Sequence, residues 1–260
     1  MNKLLTRFQT ESKELLTQIT NCLARDPRIM AAWLFGSLGR GDADELSDID
    51  IFVVVADEFI EEIVAQRQQF ATQIGKTVLF VEAPQNAPEN GGYLMAFYDM
   101  LTGPHQVDWY WQPQSLAYIP AETMVLFDRL GLARRDQPIK FLNREPVKEI
   151  DENPLNFISY FWAMLIITAK YVVRKPQSEK TILLPYVLHP LHKTQRLLGK
   201  NPSTYQMIQP TCQGKLVLLR HLADEMCVLM PQVAAQENDV PDAAPTAVYK
   251  FLDLVEEICQ

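Results

Sequence analysis

Cysteine is scarce in this sequence, and the few cysteines lack the spacing of a metal site. The 260 residues include four, Cys22, Cys212, Cys227 and Cys259, with no CxxC pair among them. This pattern does not favour a disulfide-rich extracellular domain or a zinc module. We expect free thiols in a reducing compartment, and therefore a cytoplasmic protein.

Long hydrophobic runs are also missing. The longest extend over roughly ten residues, about half the length of a membrane-spanning helix. The first 16 residues alternate polar side chains with Leu4, Leu5 and Phe8, as an amphipathic helix does and a signal peptide does not. We expect no association with a membrane.

Basic side chains are fewer than acidic ones, and the whole difference lies in the first half of the sequence. The net charge is -8, with 8 basic and 16 acidic side chains in residues 1–120 and 16 of each in residues 121–260. Proteins that bind a nucleic-acid backbone usually carry a basic stripe, because neutralising phosphates supplies most of the affinity. A polynucleotide substrate is therefore not expected.

The hydrophobic pattern predicts an α+β fold. The first half alternates the periods of helices and strands, whereas the second half has a helical pattern that is clearest over residues 156–175. We expect a mixed sheet with flanking helices in residues 1–120 and an all-helical domain in residues 121–260. The predicted early elements are a helix over 2–25, strands over 30–35 and 49–55, a helix over 58–75, and strands over 77–81 and 106–111.

The segment from Trp33 to Val55 carries the strongest chemical signal. Side chains alternate faces along a strand, so Asp48 and Asp50 are expected on one face, about 6.5 Å apart, with Ile49 and Ile51 on the other. Two carboxylates at that distance raise each other's pKa unless a cation neutralises them. Mg²⁺ suits such a site, because it typically takes one or two carboxylates plus substrate phosphates.

Gly36 and Ser37 end the preceding strand, and ten residues separate Ser37 from Asp48. Glycine permits close approach of the backbone, and a helix that starts there would present amide groups to a triphosphate. Arg40, between Gly39 and Gly41, would add a guanidinium where phosphate charge lies.

Phe35, Gly36 and Ser37, the ten-residue spacer, and Asp48-Ile49-Asp50 together resemble a known signature. It is that of the nucleotidyltransferase superfamily typified by DNA polymerase β and the aminoglycoside nucleotidyltransferases. The segment GRGDADELSD, residues 39–48, is typical of the members with small substrates, and the helical second half resembles that of the aminoglycoside and lincosamide nucleotidyltransferases. The resemblance implies that residues 1–120 form the catalytic domain and residues 121–260 bind the substrate.

The resemblance further implies a third carboxylate on a later strand. Asp108 is the first candidate, as a metal ligand beside Asp48 and Asp50, and Glu82 is the second, as the base. Which of the two is the base stays open. Lys170 and Arg174, four residues apart on one predicted helix face, resemble basic residues that reach the triphosphate in the aminoglycoside-modifying members.

The reaction that the resemblance implies is transfer of a nucleoside monophosphate to a hydroxyl group, with two Mg²⁺ ions and release of pyrophosphate. ATP is the expected donor, and a hydroxylated small molecule, such as an aminoglycoside-like antibiotic, is the expected acceptor. Two alternatives stay open: an adenylyltransferase of the antitoxin type that modifies a protein, and a nucleotide-binding regulator without turnover. The sequence leaves the acceptor and the oligomeric state undetermined.

Overall fold

A computed structural model describes residues 3–137, 153–178, 183–205, 211–236 and 238–259. These residues form two compact units. The sheet unit contains residues 7–99 and 105–137, and the helical unit contains residues 3–6 and 100–104 together with the described residues from 153 onward.

The described strands are β1 (Ile29–Leu34), β2 (Ile49–Val55), β3 (Thr77–Val81), β4 (Gly92–Met100), β5 (Gly103–Pro113), β6 (Ile119–Pro120), β7 (Met124–Asp128) and β8 (Arg134–Arg135). The sheet unit is built on a mixed sheet with the strand order β3-β4-β5-β2-β1-β7. β2 pairs in parallel with β5, and β1 pairs antiparallel with both β2 and β7. A short parallel pair, β6 with β8, lies outside this sheet.

Helices cover one face of this sheet. The amphipathic helix α1 (Lys3–Arg25) contributes Leu15, Ile19 and Leu23 to a core that also contains Phe70 of α4 (Arg67–Ile74). The helices that begin in the first half of the sequence are α1 (Lys3–Arg25), α2 (Gly36–Arg40), α3 (Ile60–Ala65) and α4 (Arg67–Ile74). The predicted α+β class, with a mixed sheet and flanking helices followed by a helical region, is confirmed.

β2 shows how the sequence determines the two faces of the sheet. Ile49, Ile51, Val53 and Val55 belong to the core beneath α1 and α4, whereas Phe52 and Val54 pack into a smaller cluster on the opposite face. Because strand side chains alternate, Asp50 lies on the face of Phe52. We call this the open face.

The helical unit is organised around its most apolar helix. Its helices are α5 (Pro154–Arg174), α6 (Leu184–Leu197), α7 (Cys212–Ala234) and α8 (Ala244–Ile258), and α5 packs against the other three. The Asn153 side chain caps α5 by accepting from the Leu155 amide, and Pro154 occupies the first turn. Among the described residues α5 alone is long and apolar enough to cross a membrane, but 72% of its most apolar window is buried inside the protein. This burial is typical of a core helix.

Two expectations from the sequence are wrong. Residues after 120 were expected to be helical, yet Met124–Asp128 form β7, because these residues satisfy their backbone hydrogen bonds along the outer side of β1. Cys212 and Cys259 were expected to be free thiols, yet they form a disulfide with 6.0 Å between their Cα atoms, whereas Cys22 and Cys227 are free. The division into a catalytic domain, 1–120, and a substrate-binding domain, 121–260, stays a prediction.

Thiol titration tests the disulfide. Unfolded, unreduced protein is expected to show two reactive thiols, Cys22 and Cys227. Breaking the bond by reduction, or by Cys212→Ser with Cys259→Ser, is expected to lower the free energy of unfolding by about 2–4 kcal/mol, because a cross-link restricts the unfolded chain. Reductant should leave the stability of the double variant unchanged. Four reactive thiols before reduction would contradict the pairing.

Candidate active site

Asp50 and Asp108 face each other across two neighbouring strands. They are partners in the parallel register of β2 and β5, where strands lie about 4.8 Å apart. The next pair on the same face, Phe52 and Tyr110, stacks with ring centroids 4.9 Å apart. Because side chains two residues apart on a strand share a face, both carboxylates project from the open face. The structure therefore brings together two of the predicted site residues.

Asp108 is held by two hydrogen bonds inside the protein. Its carboxylate is buried and accepts from the Tyr93 hydroxyl at 2.7 Å and from the Gln106 side-chain amide at 2.8 Å. Burial, followed by the charge of Asp108, raises the pKa of the Tyr93 hydroxyl well above its ordinary value. Tyr93 therefore stays protonated at neutral pH and remains a donor to the carboxylate.

Gly36 makes room for Asp50. Its φ is +62°, and a Cβ built on it would lie 2.1 Å from the Asp50 Oδ2 atom. The amide of the preceding residue, Phe35, donates to the Asp50 backbone oxygen at 3.1 Å. A side chain at position 36 would displace the carboxylate, so the position requires glycine for both its conformation and its space.

The predicted phosphate-binding residues lie on α2, which starts at Gly36 as expected but has only five residues. Ser37 is half-buried, and its backbone oxygen accepts from the amides of Gly41 and Asp42. Arg40 forms an ion pair from Nε to Asp42 at 3.2 Å, with its side chain 43% exposed. An ion pair this exposed contributes little to stability, so a phosphate can replace Asp42 at small cost.

Asp48 lies immediately before β2 and is half-buried. In the parts of the chain that the structure describes, no three His, Cys, Asp or Glu side chains converge closely enough to hold a metal ion. The two carboxylates that the structure sets side by side are those of Asp50 and Asp108. The metal-ligand role of Asp48 stays a prediction.

Glu82 is not brought to the open face. Its carboxylate pairs with Arg67 at 2.7 Å and accepts from Gln68 at 2.9 Å, and both partners belong to α4. Phe80, two residues earlier, packs into the core beneath that helix. Glu82 therefore lies on the helix-covered face, opposite to Asp108.

Lys170 and Arg174 belong to the helical unit, where they lie one turn apart on α5. Lys170 is 3% exposed, so it is not part of a solvated polar stripe on that helix. Their contact with a triphosphate stays a prediction.

Comparison with known proteins places the glycine-serine and aspartate motifs in a family. Residues 17–90, which are 74 of the 260, match the model of the family described as "Polymerase beta, Nucleotidyltransferase". The chain carries a nucleotidyltransferase domain. The predicted membership of this superfamily is confirmed, and the match contains Gly36, Ser37, Asp48 and Asp50 but ends before Asp108.

Other comparisons add little to this assignment. No curated protein matches the chain significantly. Among solved structures, a nucleotidyltransferase candidate from Sulfolobus solfataricus, determined at 1.40 Å, is 17% identical and covers 50% of this chain and 91% of its own, with a TM-score of 0.29. At that TM-score the likeness supports no conclusion about this domain.

Two residues that hold Asp108 were not predicted from the sequence. Gln106 could have been found, because it lies two residues before Asp108 on the same strand and must therefore share its face. Tyr93 could not, because its contact with Asp108 arises only when β4 lies beside β5.

Paired tyrosine variants test the support of Asp108. Tyr93→Phe is expected to lower the free energy of unfolding by about 1.5–3 kcal/mol, since it removes a buried hydrogen bond to a charged group. Tyr98→Phe is the matched control and should cost about 1 kcal/mol, because the Tyr98 hydroxyl donates to the neutral Ala71 carbonyl. Urea unfolding measures both losses, and a loss in Tyr93→Phe no larger than that in Tyr98→Phe would contradict the assignment.

Paired glycine variants test the close approach of Asp50. Gly36 and Gly41 both have positive φ, +62° and +79°, but a Cβ at Gly41 would meet nothing within 4 Å. Gly41→Ala should cost roughly 1–2 kcal/mol of stability for the strained backbone alone. Gly36→Ala should cost at least about 1 kcal/mol more, because its methyl group overlaps the carboxylate. Equal losses in urea unfolding would show that Gly36 is not pressed against Asp50.

Proposed function

We propose that this protein transfers AMP from ATP to a hydroxyl group of a small molecule and releases pyrophosphate. Nucleotidyl transfer as a general activity is supported by the family match. The observation that carries the finer proposal is the pairing of Asp50 with Asp108 on the open face, immediately beside Gly36. The acceptor that we propose is a hydroxylated compound similar to an aminoglycoside, and no polynucleotide is expected because basic residues are in deficit.

The carboxylate pair fits a hard divalent cation. Oxygen donors from one or two carboxylates, completed by phosphates and water, are what Mg²⁺ usually takes. Asp50 and Asp108 would hold the ions, with Asp48 as a further ligand, and we retain the prediction of two Mg²⁺ ions. When bound, the ions neutralise charge on the phosphates and make the acceptor hydroxyl more acidic.

We assign to Asp108 the role of the base that accepts the proton of the attacking hydroxyl group. Each oxygen of its carboxylate accepts a hydrogen bond, one from Tyr93 and the other from Gln106. These two hydrogen bonds also fix the orientation of the carboxylate. Glu82 receives no catalytic part, because Arg67 and Gln68 hold it on the other face.

The residues of α2 would position the triphosphate. Gly36 lets the backbone approach the phosphates closely, and Ser37 adds a hydroxyl donor. Arg40 can exchange its exposed pairing with Asp42 for the charge of the leaving pyrophosphate. Catalysis would then consist mainly of in-line positioning and electrostatic stabilisation.

We also propose a cytoplasmic location, where ATP is available to the enzyme. The Cys212–Cys259 disulfide argues the other way, because disulfides persist mainly in oxidising compartments. Fractionation of the source cells distinguishes the two locations, whereas the thiol titration described above tests the disulfide alone.

Three carboxylate variants test the reaction. Pyrophosphate release from ATP and Mg²⁺ is measured with a panel of aminoglycosides and lincosamides. Asp50→Asn should abolish release while the fold is kept, and Asp108→Asn should slow it by about 10²–10⁴-fold, as expected for loss of a base. Glu82→Gln is the matched control and should change the rate by less than about threefold, because Arg67 and Gln68 hold Glu82 on the helix-covered face, away from the carboxylate pair.

Each result has a distinct meaning for the proposal. A comparable rate in Asp50→Asn would overturn the site, and a large loss in Glu82→Gln would restore that residue as the base. ATP binding without release across the whole panel would favour a protein acceptor or a regulator without turnover.

A further inference from the structure

A pocket of about 500 Å³ opens within the helical unit, between the carboxy-terminal part of α7 and the start of α8. That volume lies within the usual range of small-molecule sites, roughly 300–1,000 Å³. Its lining lies outside residues 17–90, the part of the chain that matches the family model. None of the roles assigned above uses a residue of this pocket.

Short and apolar side chains form most of the lining. α7 contributes Met230, Pro231 and Ala234, whereas Val240 belongs to the connection between the helices and Pro245 to the first turn of α8. Because alanine and proline side chains are short, they leave a space that longer side chains would fill. A hydroxyl-rich compound would lose its hydrogen bonds to water against this lining, so the acceptor proposed above does not suit the pocket.

The connection that forms one wall of the pocket is held by hydrogen bonds. The Asn238 side-chain amide donates to the backbone carbonyls of Val233 and Gln236, at 3.3 and 3.2 Å, and so ties the connection to the end of α7. Further along, the Asp242 amide donates to the Val240 carbonyl at 3.0 Å. These hydrogen bonds place the wall without a ligand, as in most small-molecule sites.

The lining offers two hydrogen-bond acceptors. One is the carboxylate of Asp242, which is exposed and is the one charged group among the described lining residues. The other is the backbone carbonyl of Cys227, because Pro231, four residues later in α7, has no amide hydrogen to donate to it. Helix carbonyls point toward the residue four positions on, and Cys227 and Pro231 both line the pocket. An ammonium group can donate to both acceptors.

The start of α8 does not turn the pocket into an anion site. Amide groups at a helix N-terminus commonly bind anions. Here the Ala244 amide already donates to the Pro241 carbonyl at 2.9 Å, and Pro245 has no amide hydrogen. The carboxylate of Asp242, two residues before the helix, would also repel a negative charge.

We propose that this pocket binds an apolar compound that carries one protonated amine. The apolar lining would contact its rings, and its ammonium group would lie beside Asp242 and the Cys227 carbonyl. An exposed carboxylate contributes little binding free energy, so burial of apolar surface would supply the affinity and Asp242 would select the sign of the charge. This inference goes beyond the proposed function and does not depend on it.

Three fluorescent probes with one ring system test the chemical class: pyrenylmethylamine, pyrenylmethanol and pyrenecarboxylate. Fluorescence titration of the full chain should give the amine the highest affinity and the carboxylate the lowest. Asp242→Asn should weaken binding of the amine by about two- to fivefold, the scale of an exposed ion pair, and leave the alcohol unchanged. Asp239→Asn, at an exposed carboxylate outside the lining, is the matched control and should change neither affinity.

A pocket-filling variant tests the location. Ala234 is exposed and lines the pocket, so Ala234→Trp occupies the space without removing a core residue. It should weaken binding of pyrenylmethylamine by about tenfold or more, because the ligand loses its apolar contacts. Ala235→Trp, at the next exposed alanine outside the lining, should leave the affinity unchanged. Circular dichroism confirms folding, and Ala234→Leu replaces the tryptophan variant if that variant does not fold.

The two free thiols give an independent measurement. Cys227 lines the pocket, whereas Cys22 lies in the sheet unit; both are half-buried, and burial raises the pKa of each thiol. At ten times its dissociation constant, pyrenylmethylamine should slow alkylation of Cys227 by about tenfold and leave that of Cys22 unchanged. Mass spectrometry of the two cysteine peptides measures both rates.

The outcomes separate the ligand class from its site. Carboxylate binding as tight as that of the amine overturns the choice of a cation. Equal affinities in Ala234→Trp and Ala235→Trp, or alkylation of Cys227 that the amine does not slow, overturn the pocket as its site, and so does the absence of binding by all three probes. Pyrophosphate release is measured separately, so the proposed function can stand or fail without this pocket.

Discussion

The parallel register between β2 and β5 is the constraint on which the candidate site depends. It sets Asp50 opposite Asp108, and a slip by one residue would turn one carboxylate into the core beneath the helices. The apolar residues that alternate with Asp50 prevent that slip, because Ile49 and Ile51 are fully buried on the other face. The hydrophobic pattern therefore positions the chemistry as well as the strand.

Two carboxylates side by side oppose folding unless their charge is compensated. The structure compensates Asp108 through Tyr93 and Gln106, and it places Asp50, which is half-buried, against Gly36. This asymmetry is consistent with different roles for the two groups. Fixed donors keep the Asp108 carboxylate in its orientation, and Asp50 lies against the glycine at which α2 begins.

The sequence was sufficient to predict local features and insufficient for contacts made between distant segments. Asp50 could be predicted because it lies two residues after Asp48 at the start of an apolar strand segment, and Asp108 because the family resemblance implies a third carboxylate on a later strand. The face of Glu82 could not, because it depends on Arg67, a residue on a helix that only the fold brings near. β7 and the Cys212–Cys259 disulfide were not predicted for the same reason. The sequence around a short apolar segment, or around a single cysteine, does not show which distant residues it will contact in the folded chain.

The helical unit includes residues 3–6 and also residues 100–104, which are the tip of the β4–β5 hairpin: the last residue of β4, the two-residue connection and the first two residues of β5. Within that unit Gly103 lies so close to α8 that a Cβ on it would come 2.9 Å from the Phe251 backbone nitrogen. The unit is therefore not a contiguous stretch of the gene. Recombination that exchanged only the carboxy-terminal half for another helical sequence would leave this hairpin facing an unrelated surface, so the two halves of this protein are expected to be inherited together.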